Sequence, residues 1–268
     1  MDVLGAAWST VLARGLFMVL GFGILFVGHK NLRLRLRGFR TQWATVGRLL
    51  WVGLPNSAQI TVRIAAYMVI MALVMQEGDL VGTAFGITAG RLDMTAVFGA
   101  AGWGAAASAM VGQNLGAGKI RRAALSGWTA AAYGAAVCGL MGLLFYVFAG
   151  PLIEMFFLVK GGAHPDVIAH GKDYLAILAP AYPFIAVGLV LAQALNGAGS
   201  TKVPLLFDTI AFLLIQTPLA FALRALPVDG APFGLEGIYW AMTITSVLLA
   251  AVYAVWFRFG PWHRTKGG

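Results

Sequence analysis

The chain has 268 residues, of which 60% are hydrophobic and 11% are charged. A soluble globular domain carries about a quarter charged residues, so this composition excludes that class and indicates a protein embedded in a bilayer. The formal net charge of +9 does not predict nucleic-acid binding. The cations lie in short segments between apolar runs, where they determine the orientation of a membrane protein.

Apolar runs recur along the whole chain, each long enough to cross about 30 Å of hydrocarbon at about 1.5 Å per residue. The sequence therefore predicts an all-α polytopic membrane protein with about seven transmembrane helices. The predicted spans are residues 4–27, 54–74, 82–111, 123–148, 174–195, 203–226 and 237–257.

The charges between the spans alternate from one side to the other. One set of loops is rich in arginine and lysine, at positions 30–48, 119–122, 202 and 258–266, whereas the acidic residues near positions 77, 154 and 229 lie in the other set. Cytoplasmic loops carry the excess of basic residues. We therefore expect a multi-pass protein of the cell inner (plasma) membrane with a cytoplasmic C-terminus.

Three segments resemble the multidrug and toxic compound extrusion (MATE) transporters. Residues 84–123 (AFGITAGRLDMTAVFGAAGWGAAASAMVGQNLGAGKIRRA) are similar to that family's eighth helix and the loop after it. Residues 182–206 (YPFIAVGLVLAQALNGAGSTKVPLL) resemble its tenth helix, and residues 48–55 (RLLWVGLP) resemble the entry to its seventh. The resemblance extends over the whole chain and corresponds to the last seven of twelve helices.

The resemblance implies two six-helix lobes around a central cavity, and it implies the following division of this chain. Residues 1–28 would be the last helix of the N-terminal lobe, 29–53 a basic cytoplasmic inter-lobe linker, 54–258 the C-terminal six-helix lobe and 259–268 a cytoplasmic tail. Within the linker, residues 32–40 (LRLRLRGFR) predict a basic arm on the anionic inner leaflet, with a strand as the alternative.

By this comparison, the other five helices of the first lobe would be missing from the chain. Three explanations stay open: a start assigned too late, a truncated gene, or half-size chains that pair. A missing N-terminal lobe or a second half-size chain is thus an expected partner, besides the lipid bilayer.

Two cytoplasmic loops, 112–119 (GQNLGAGK) and 196–202 (NGAGSTK), repeat one pattern of asparagine, glycine and lysine. The simpler interpretation is a helix end with a positive anchor, and the alternative is a hinge for rocking of the lobes. Prolines in the fifth predicted span remove backbone donors and can kink that helix. The hinge and loop candidates are Gln113, Asn114, Gly116, Gly118, Asn196, Gly197, Gly199, Pro180 and Pro183. In the fourth span, small residues recur every four positions from Ala130 to Gly142 and predict close helix packing.

Polar residues inside the spans are the candidates for a substrate or ion cavity, because each is costly unless it is paired or faces water. Gln59, Arg63 and Tyr67 share one face of the second span, and Arg91 and Asp93 lie in the third. Arg63 and Asp93 lie about 19 Å and about 16 Å from the external ends of their spans, at about 1.5 Å per residue. The similar depths leave a structural Arg63–Asp93 ion pair and a cavity role as alternatives.

Other charged positions receive weaker interpretations. Asp208, early in the sixth span, is close enough to the cytoplasmic surface to be solvated, and Arg14 lies deeper in the first span; a structural role is the preferred interpretation of both. Some branches of the family carry acidic residues in the seventh and tenth helices, where this chain has Arg63 and Ile185, which weakens any sodium site in this lobe.

No metal site or catalytic centre is expected. The cluster from His164 to Asp173 is best interpreted as the exposed start of a helix with Pro165 as its first residue. No set of nucleophile, base and orienting residue is present, so the sequence does not predict an enzyme.

The resemblance implies a secondary active efflux transporter: a multidrug or organic-cation antiporter driven by a proton or sodium gradient, working by alternating access. The substrate would be a small organic cation, and H+ or Na+ the coupling ion, with no other cofactor. One alternative is a lipid-linked oligosaccharide flippase of the same superfamily, which Arg14, Arg63 and Arg91 favour. The other is a truncated membrane fragment that transports nothing.

Overall fold

The computed structural model describes residues 2–28, 42–157, 162, 164–228 and 231–264. These residues are almost entirely helical. The α-helices are α1 (Asp2–Val27), α2 (Trp43–Met75), α3 (Asp79–Ile87), α4 (Met94–Gly116), α5 (Ile120–Val147), α6 (Ala149–Met155), α7 (Pro165–Leu178), α8 (Tyr182–Gly197), α9 (Lys202–Asp208), α10 (Thr217–Ala225) and α11 (Gly234–Phe259). Two short antiparallel strands, β1 (Pro227–Val228) and β2 (Ala231–Pro232), pair before α11.

Within the described residues, seven helical spans are long and apolar enough to cross a membrane, which confirms the predicted fold class. The third, fifth and sixth spans each combine two helices, α3 with α4, α7 with α8 and α9 with α10. The spans are Trp8–Val27, Trp43–Met75, Asp79–Gly116, Ile120–Val147, Pro165–Gly197, Lys202–Ala225 and Gly234–Phe259.

Several helices are longer than their predicted spans. The second span begins at Trp43 and not at residue 54, and the fifth begins at Pro165 and not at residue 174. The prediction followed the apolar run, but a helix continues past the hydrocarbon wherever its backbone hydrogen bonds can continue. The predicted basic arm at residues 32–40 lies outside the described residues.

The chain divides into two compact units, Met1–Gly47 and Arg48–Gly268. The first consists of α1, which is mostly apolar but carries Arg14, and the start of α2. The second contains the six remaining spans. The predicted linker ends at residue 53, but α2 continues through this position as one helix, so no break marks the end of the linker. The predicted domain limits stay predictions.

Two spans contain a π-helical turn, in which the backbone accommodates an extra residue. Thr88–Asp93 separates α3 from α4, and Thr209–Gln216 separates α9 from α10. Such turns are rare and frequent at functional sites. Each is bordered by an aspartate, since Asp93 ends the first and Asp208 precedes the second.

The fifth span is interrupted at its two prolines. A 3-10 turn, Ala179–Ala181, contains Pro180 and separates α7 from α8, and Pro183 lies in the first turn of α8. Proline lacks the amide donor that a continuous helix needs there. The predicted interruption of this helix is confirmed, whereas a hinge motion stays a prediction.

The small residues of α5 allow other helices to approach closely. A Cβ at Gly142 would lie 2.7 Å from the carbonyl oxygen of Ala179, and one at Gly134 would lie 3.2 Å from Val190. Cys138 is buried in the same stripe. The predicted packing face is therefore confirmed.

Glycines end the helices at both of the loops that repeat the asparagine, glycine and lysine pattern. Helix α4 ends at Gly116, and Gly118 and Gly199 adopt positive φ angles of 72° and 80°, the left-handed geometry that favours glycine after a helix. Gly197 has a different role: a Cβ there would lie 2.2 Å from the carbonyl oxygen of Ser108. The loops are helix ends, as the simpler interpretation predicted, and Gly197 is where α8 contacts α4.

Gly197→Ala should destabilise the protein because the contact is with backbone atoms, which cannot move aside. Overpacking of this kind costs about 1–3 kcal/mol, measured as a drop in the free energy of unfolding of the detergent-solubilised chain. Gly116→Ala is the control, since a Cβ at that helical glycine meets nothing within 4 Å. Equal stabilities of the two variants would contradict the packing argument.

Candidate functional site

The polar face predicted on α2 is directed at the sixth span. Gln59 donates from Nε2 to Oδ2 of Asp208 at 2.8 Å, and Arg63 donates from Nε to the same oxygen at 2.5 Å. Tyr67, one turn further, instead stacks on Phe85 with ring centroids 6.0 Å apart. The three residues share a helix face, but among them only Gln59 and Arg63 donate hydrogen bonds to the Asp208 carboxylate.

Asp208 is fully buried, with 0% of its side chain exposed. Besides Gln59 and Arg63, the Tyr253 hydroxyl of α11 donates to its Oδ1 at 2.6 Å. The solvated position considered for Asp208 is therefore wrong, whereas the preferred structural role agrees with these contacts. Its position near the end of the span suggested water, but α2 and α11 cover it and supply its hydrogen bonds and counter-ion.

Arg63 pairs with Asp208 and not with Asp93, so the Arg63–Asp93 pair considered from the sequence is wrong. Equal depth in the membrane does not specify which way two side chains point around their helices. The guanidinium also lies over the ring of Phe212, 5.6 Å from its centroid. With 27% of its side chain exposed, Arg63 keeps one edge accessible.

The second and sixth spans are joined at two further levels. Lys202 Nζ lies 3.8 Å from the ring centroid of Trp51, and Arg224 reaches Glu77 at 2.7 Å. We call the three contacts Trp51–Lys202, Arg63–Asp208 and Glu77–Arg224 the seam. Because they follow the same order along both segments, the two spans run in the same direction, joined by long cationic side chains.

The hinge candidate Asn196 extends this polar region to α8. Its Nδ2 donates to Asn56 Oδ1 at 3.0 Å and to Gln59 Oε1 at 3.2 Å. Asn114, in the other loop, donates to the Met110 carbonyl at 2.8 Å, which satisfies the end of its own helix. Only the α8 loop is thus connected to the predicted cavity residues.

Asp93 lies in a different environment. The hydroxyls of Tyr174, from α7, and Tyr182, from α8, donate to its two carboxylate oxygens. Beside it is a cavity of about 40 Å³ whose walls include Val97, Cys138 and Ile185. That volume admits water, for which about 10–15 Å³ is needed, but no organic molecule. The described hydrogen-bond partners of Asp93 are neutral, so this carboxylate has no counter-ion among them.

An aromatic cluster supports the Asp93 site and was not foreseen from the sequence. The ring centroid of Phe85 lies 5.5 Å from that of Tyr174, in an edge-on arrangement, and 6.3 Å from that of Tyr239. The ring centroids of Tyr174 and Tyr239 are 4.9 Å apart. Tyr67 adds the second span to the cluster. These rings come from α2, α3, α7 and α11, so no local sequence pattern could reveal them.

Arg91 is adjacent in sequence to this site but points elsewhere. Its side chain is exposed, although it belongs to the π-helical turn inside the third span. A guanidinium facing hydrocarbon at such depth is costly. The exposed guanidinium of Arg91 is therefore a described cation inside a span that the lobe itself does not cover or pair.

The cluster near His164 begins a helix, as expected. His164 is the N-cap of α7, its Nδ1 accepts a hydrogen bond from the Asp166 amide at 3.3 Å, and Pro165 follows as the first helical residue. The predicted helix start is confirmed.

Together, the spans and their internal charges define a polytopic membrane protein with a helical lobe that holds polar side chains between its helices. The sequence profile of the MatE family matches residues 58–222. The chain belongs to this family.

The chain is also similar to curated proteins and to solved structures. The chain is 27% identical over 267 residues to Probable multidrug resistance protein YpnP of Bacillus subtilis (99% of this chain, 57% of the relative). It is 26% identical over 263 residues to Probable multidrug resistance protein NorM of Mesorhizobium japonicum (96% and 55%). An outward-facing multidrug resistance MATE transporter structure has the same fold, with a TM-score of 0.79 at 20% identity (96% and 55%). The chain thus spans about half the length of the curated relatives it matches.

Arg63→Gln should lower the free energy of unfolding by about 3–5 kcal/mol, because it leaves the buried Asp208 carboxylate without its counter-ion. The Arg63→Gln/Asp208→Asn double variant should recover much of this loss. Glu77→Gln, in the partly exposed pair with Arg224, is the comparison and should cost about 1 kcal/mol or less. Equal costs for Arg63→Gln and Glu77→Gln in denaturant titrations would contradict the assigned pairing.

Tyr182→Phe should also destabilise the chain, by about 1.5–3 kcal/mol, because it removes one of two donors to the Asp93 carboxylate. Tyr133→Phe is a matched control: Tyr133 is exposed, and its described contact is the ring stacking on Trp103, which phenylalanine retains. The control should stay within about 0.5 kcal/mol of wild type. If Tyr182→Phe were as stable as the control, the assigned hydrogen bond from the Tyr182 hydroxyl to Asp93 would be contradicted.

Proposed function

We propose that this chain forms the C-terminal lobe, with the preceding helix, of a secondary active multidrug exporter of the inner membrane. The observation that carries the proposal is an aspartate, Asp93, that has no counter-ion among the described residues and lies beside a water-sized cavity inside a MatE-family lobe. Alternating access couples transport to ion movement when ion and substrate favour opposite orientations. The protein is accordingly proposed as a transporter and not an enzyme.

Asp93 is proposed as the group that responds to the coupling ion. A carboxylate inside a lobe is costly while it is charged and without a cation. Binding a proton or a sodium ion removes that cost, and the cavity beside Asp93 gives either ion room to enter. The tyrosines of α7 and α8 would report the change to the fifth span, because both donate to this carboxylate.

The substrate is proposed to be a small organic cation bound outside the packed lobe. Asp208 neutralises Arg63, so this arginine adds little net positive charge to the cavity wall. Tyr67, one turn further along the same helix, is partly exposed and offers an aromatic contact. The basic loops support a cytoplasmic C-terminus.

A second lobe is part of the proposal. The matched relatives are almost twice as long as the aligned chain, and the exposed Arg91 requires an aqueous cavity or a protein surface beside it. We propose that a further N-terminal lobe or a second half-size chain supplies that surface.

Arg91 is also the observation that favours the alternative, flipping of a lipid-linked oligosaccharide. An exposed guanidinium inside a span suits a diphosphate group. The neutralisation of Arg63 leaves fewer free cations than the sequence alone suggested, and it favours the exporter. In the remaining alternative, a truncated fragment, the polar site would have no transport role.

Asp93→Asn, introduced at the chromosomal locus so that the native product is tested, should abolish gradient-driven export. In everted membrane vesicles, we expect uptake of a fluorescent organic cation under an imposed pH or sodium gradient to fall by about tenfold or more. A tenfold change corresponds to about 1.4 kcal/mol of lost ion binding.

Asp166→Asn removes a carboxylate from the exposed start of α7 and should leave this uptake unchanged. Unaltered uptake and pH dependence in the Asp93→Asn vesicles would refute the proposed role of Asp93. Uptake of a lipid-linked oligosaccharide, without uptake of the organic cation, would favour the flippase.

A further inference from the structure

The turn between α4 and α5 contains a concentrated positive charge that the transport proposal does not use. Lys119, Arg121 and Arg122 are exposed and border a shallow cavity of about 570 Å³. A cavity of this size is in the range that binds small molecules, about 300–1,000 Å³. Its lining residues include neither Asp93 nor any residue of the seam, so it is treated as a separate site.

The three cations have no acidic partner there. None of the ion pairs found among the described residues includes Lys119, Arg121 or Arg122. Like charges within four consecutive positions repel one another, and water and salt only partly screen them. A bound anion would offset this repulsion.

Apolar side chains complete the same cavity. Ile120 is 47% exposed and Leu125 is 65% exposed, and both line it. The turn joins the third span, which ends at Gly116, to the fourth, which begins at Ile120, and cations that flank apolar runs in this way are typical of the boundary between hydrocarbon and water. A ligand here meets cations on the aqueous side and apolar side chains along the helix.

We propose that this cavity binds the phosphate headgroup of an anionic phospholipid. Arginine binds phosphate through paired N–H groups, and lysine contributes a compact charge. Basic pockets at the membrane surface are suited to anionic lipids. The headgroup phosphate contacts Lys119, Arg121 and Arg122, and the glycerol and upper acyl chain lie along Ile120 and Leu125. The membrane concentrates this lipid beside the cavity. Free phosphate in solution is not concentrated there.

The test compares the purified chain with two triple variants that lose the same charge. Lys119→Gln/Arg121→Gln/Arg122→Gln removes the cations of the cavity. Arg258→Gln/Arg264→Gln/Lys266→Gln removes one cation from the last turn of α11 and two from the residues after that helix, and it is the matched control. Native mass spectrometry from detergent counts bound phosphatidylglycerol and bound phosphatidylcholine.

We expect wild type and the control variant to retain phosphatidylglycerol in preference to phosphatidylcholine. The cavity variant should lose this preference by about tenfold or more, equivalent to about 1.4 kcal/mol. Three results would each overturn the proposal: no preference in wild type, an equal loss in the control variant, or displacement of the lipid by inorganic phosphate at the same concentration.

A photoreactive phosphatidylglycerol with the label in its headgroup provides a second readout on unmodified protein, independent of the folding of any variant. Crosslinking within residues 118–125 supports the site, and crosslinking confined to other segments overturns it. Neither measurement requires transport, so the lipid site and the exporter proposal fail separately.

Discussion

A carboxylate without water must take its hydrogen bonds and its counter-charge from the protein, and Asp208 takes them from two helices distant in sequence. Gln59 and Arg63 come from α2 and Tyr253 from α11. Removal of any one leaves a buried charge incompletely compensated, which in a low-dielectric interior costs far more than a surface contact. This requirement fixes the rotation of α2 about its axis, and with it the direction of the polar face that also carries Tyr67.

The two aspartates inside the lobe therefore have different chemistry although both border π-helical turns. Asp208 has an arginine and is fully enclosed, so it acts as a structural anchor at the middle level of the seam. Asp93 has two tyrosine hydroxyls, a water-sized cavity and no described cationic partner, which is why we propose it as the group that responds to the coupling ion. An aromatic cluster around Phe85 and Tyr174 connects this second site to four helices, which allows a change at one carboxylate to alter packing across the lobe.

The sequence predicted those features that depend on composition along one helix. Apolar length specified the seven spans, and the glycine-rich pattern of the two similar loops specified the helix ends at Gly116 and Gly197. The partner of Arg63 could not be predicted in the same way, because depth constrains position along a helix but not direction around it. Two π-helical turns change that direction further, and nothing in the local sequence of either segment indicates them. The tyrosines that serve Asp93 lie 81 and 89 positions away from it, so only the assembled fold brings them together.

The pairing of Arg63 with Asp208 is the central claim, and a distance measurement tests it most directly. Solid-state NMR of the chain in lipid bilayers, with isotope-labelled arginine side chains and aspartate carboxyl carbons, detects dipolar coupling between guanidinium and carboxylate. The structure places Arg63 Nε 2.5 Å from Asp208 Oδ2. The account predicts a strong coupling that Asp208→Asn abolishes and Asp93→Asn leaves intact. A coupling that survives Asp208→Asn and disappears in Asp93→Asn would contradict the account, because Arg63 would then pair with the other aspartate.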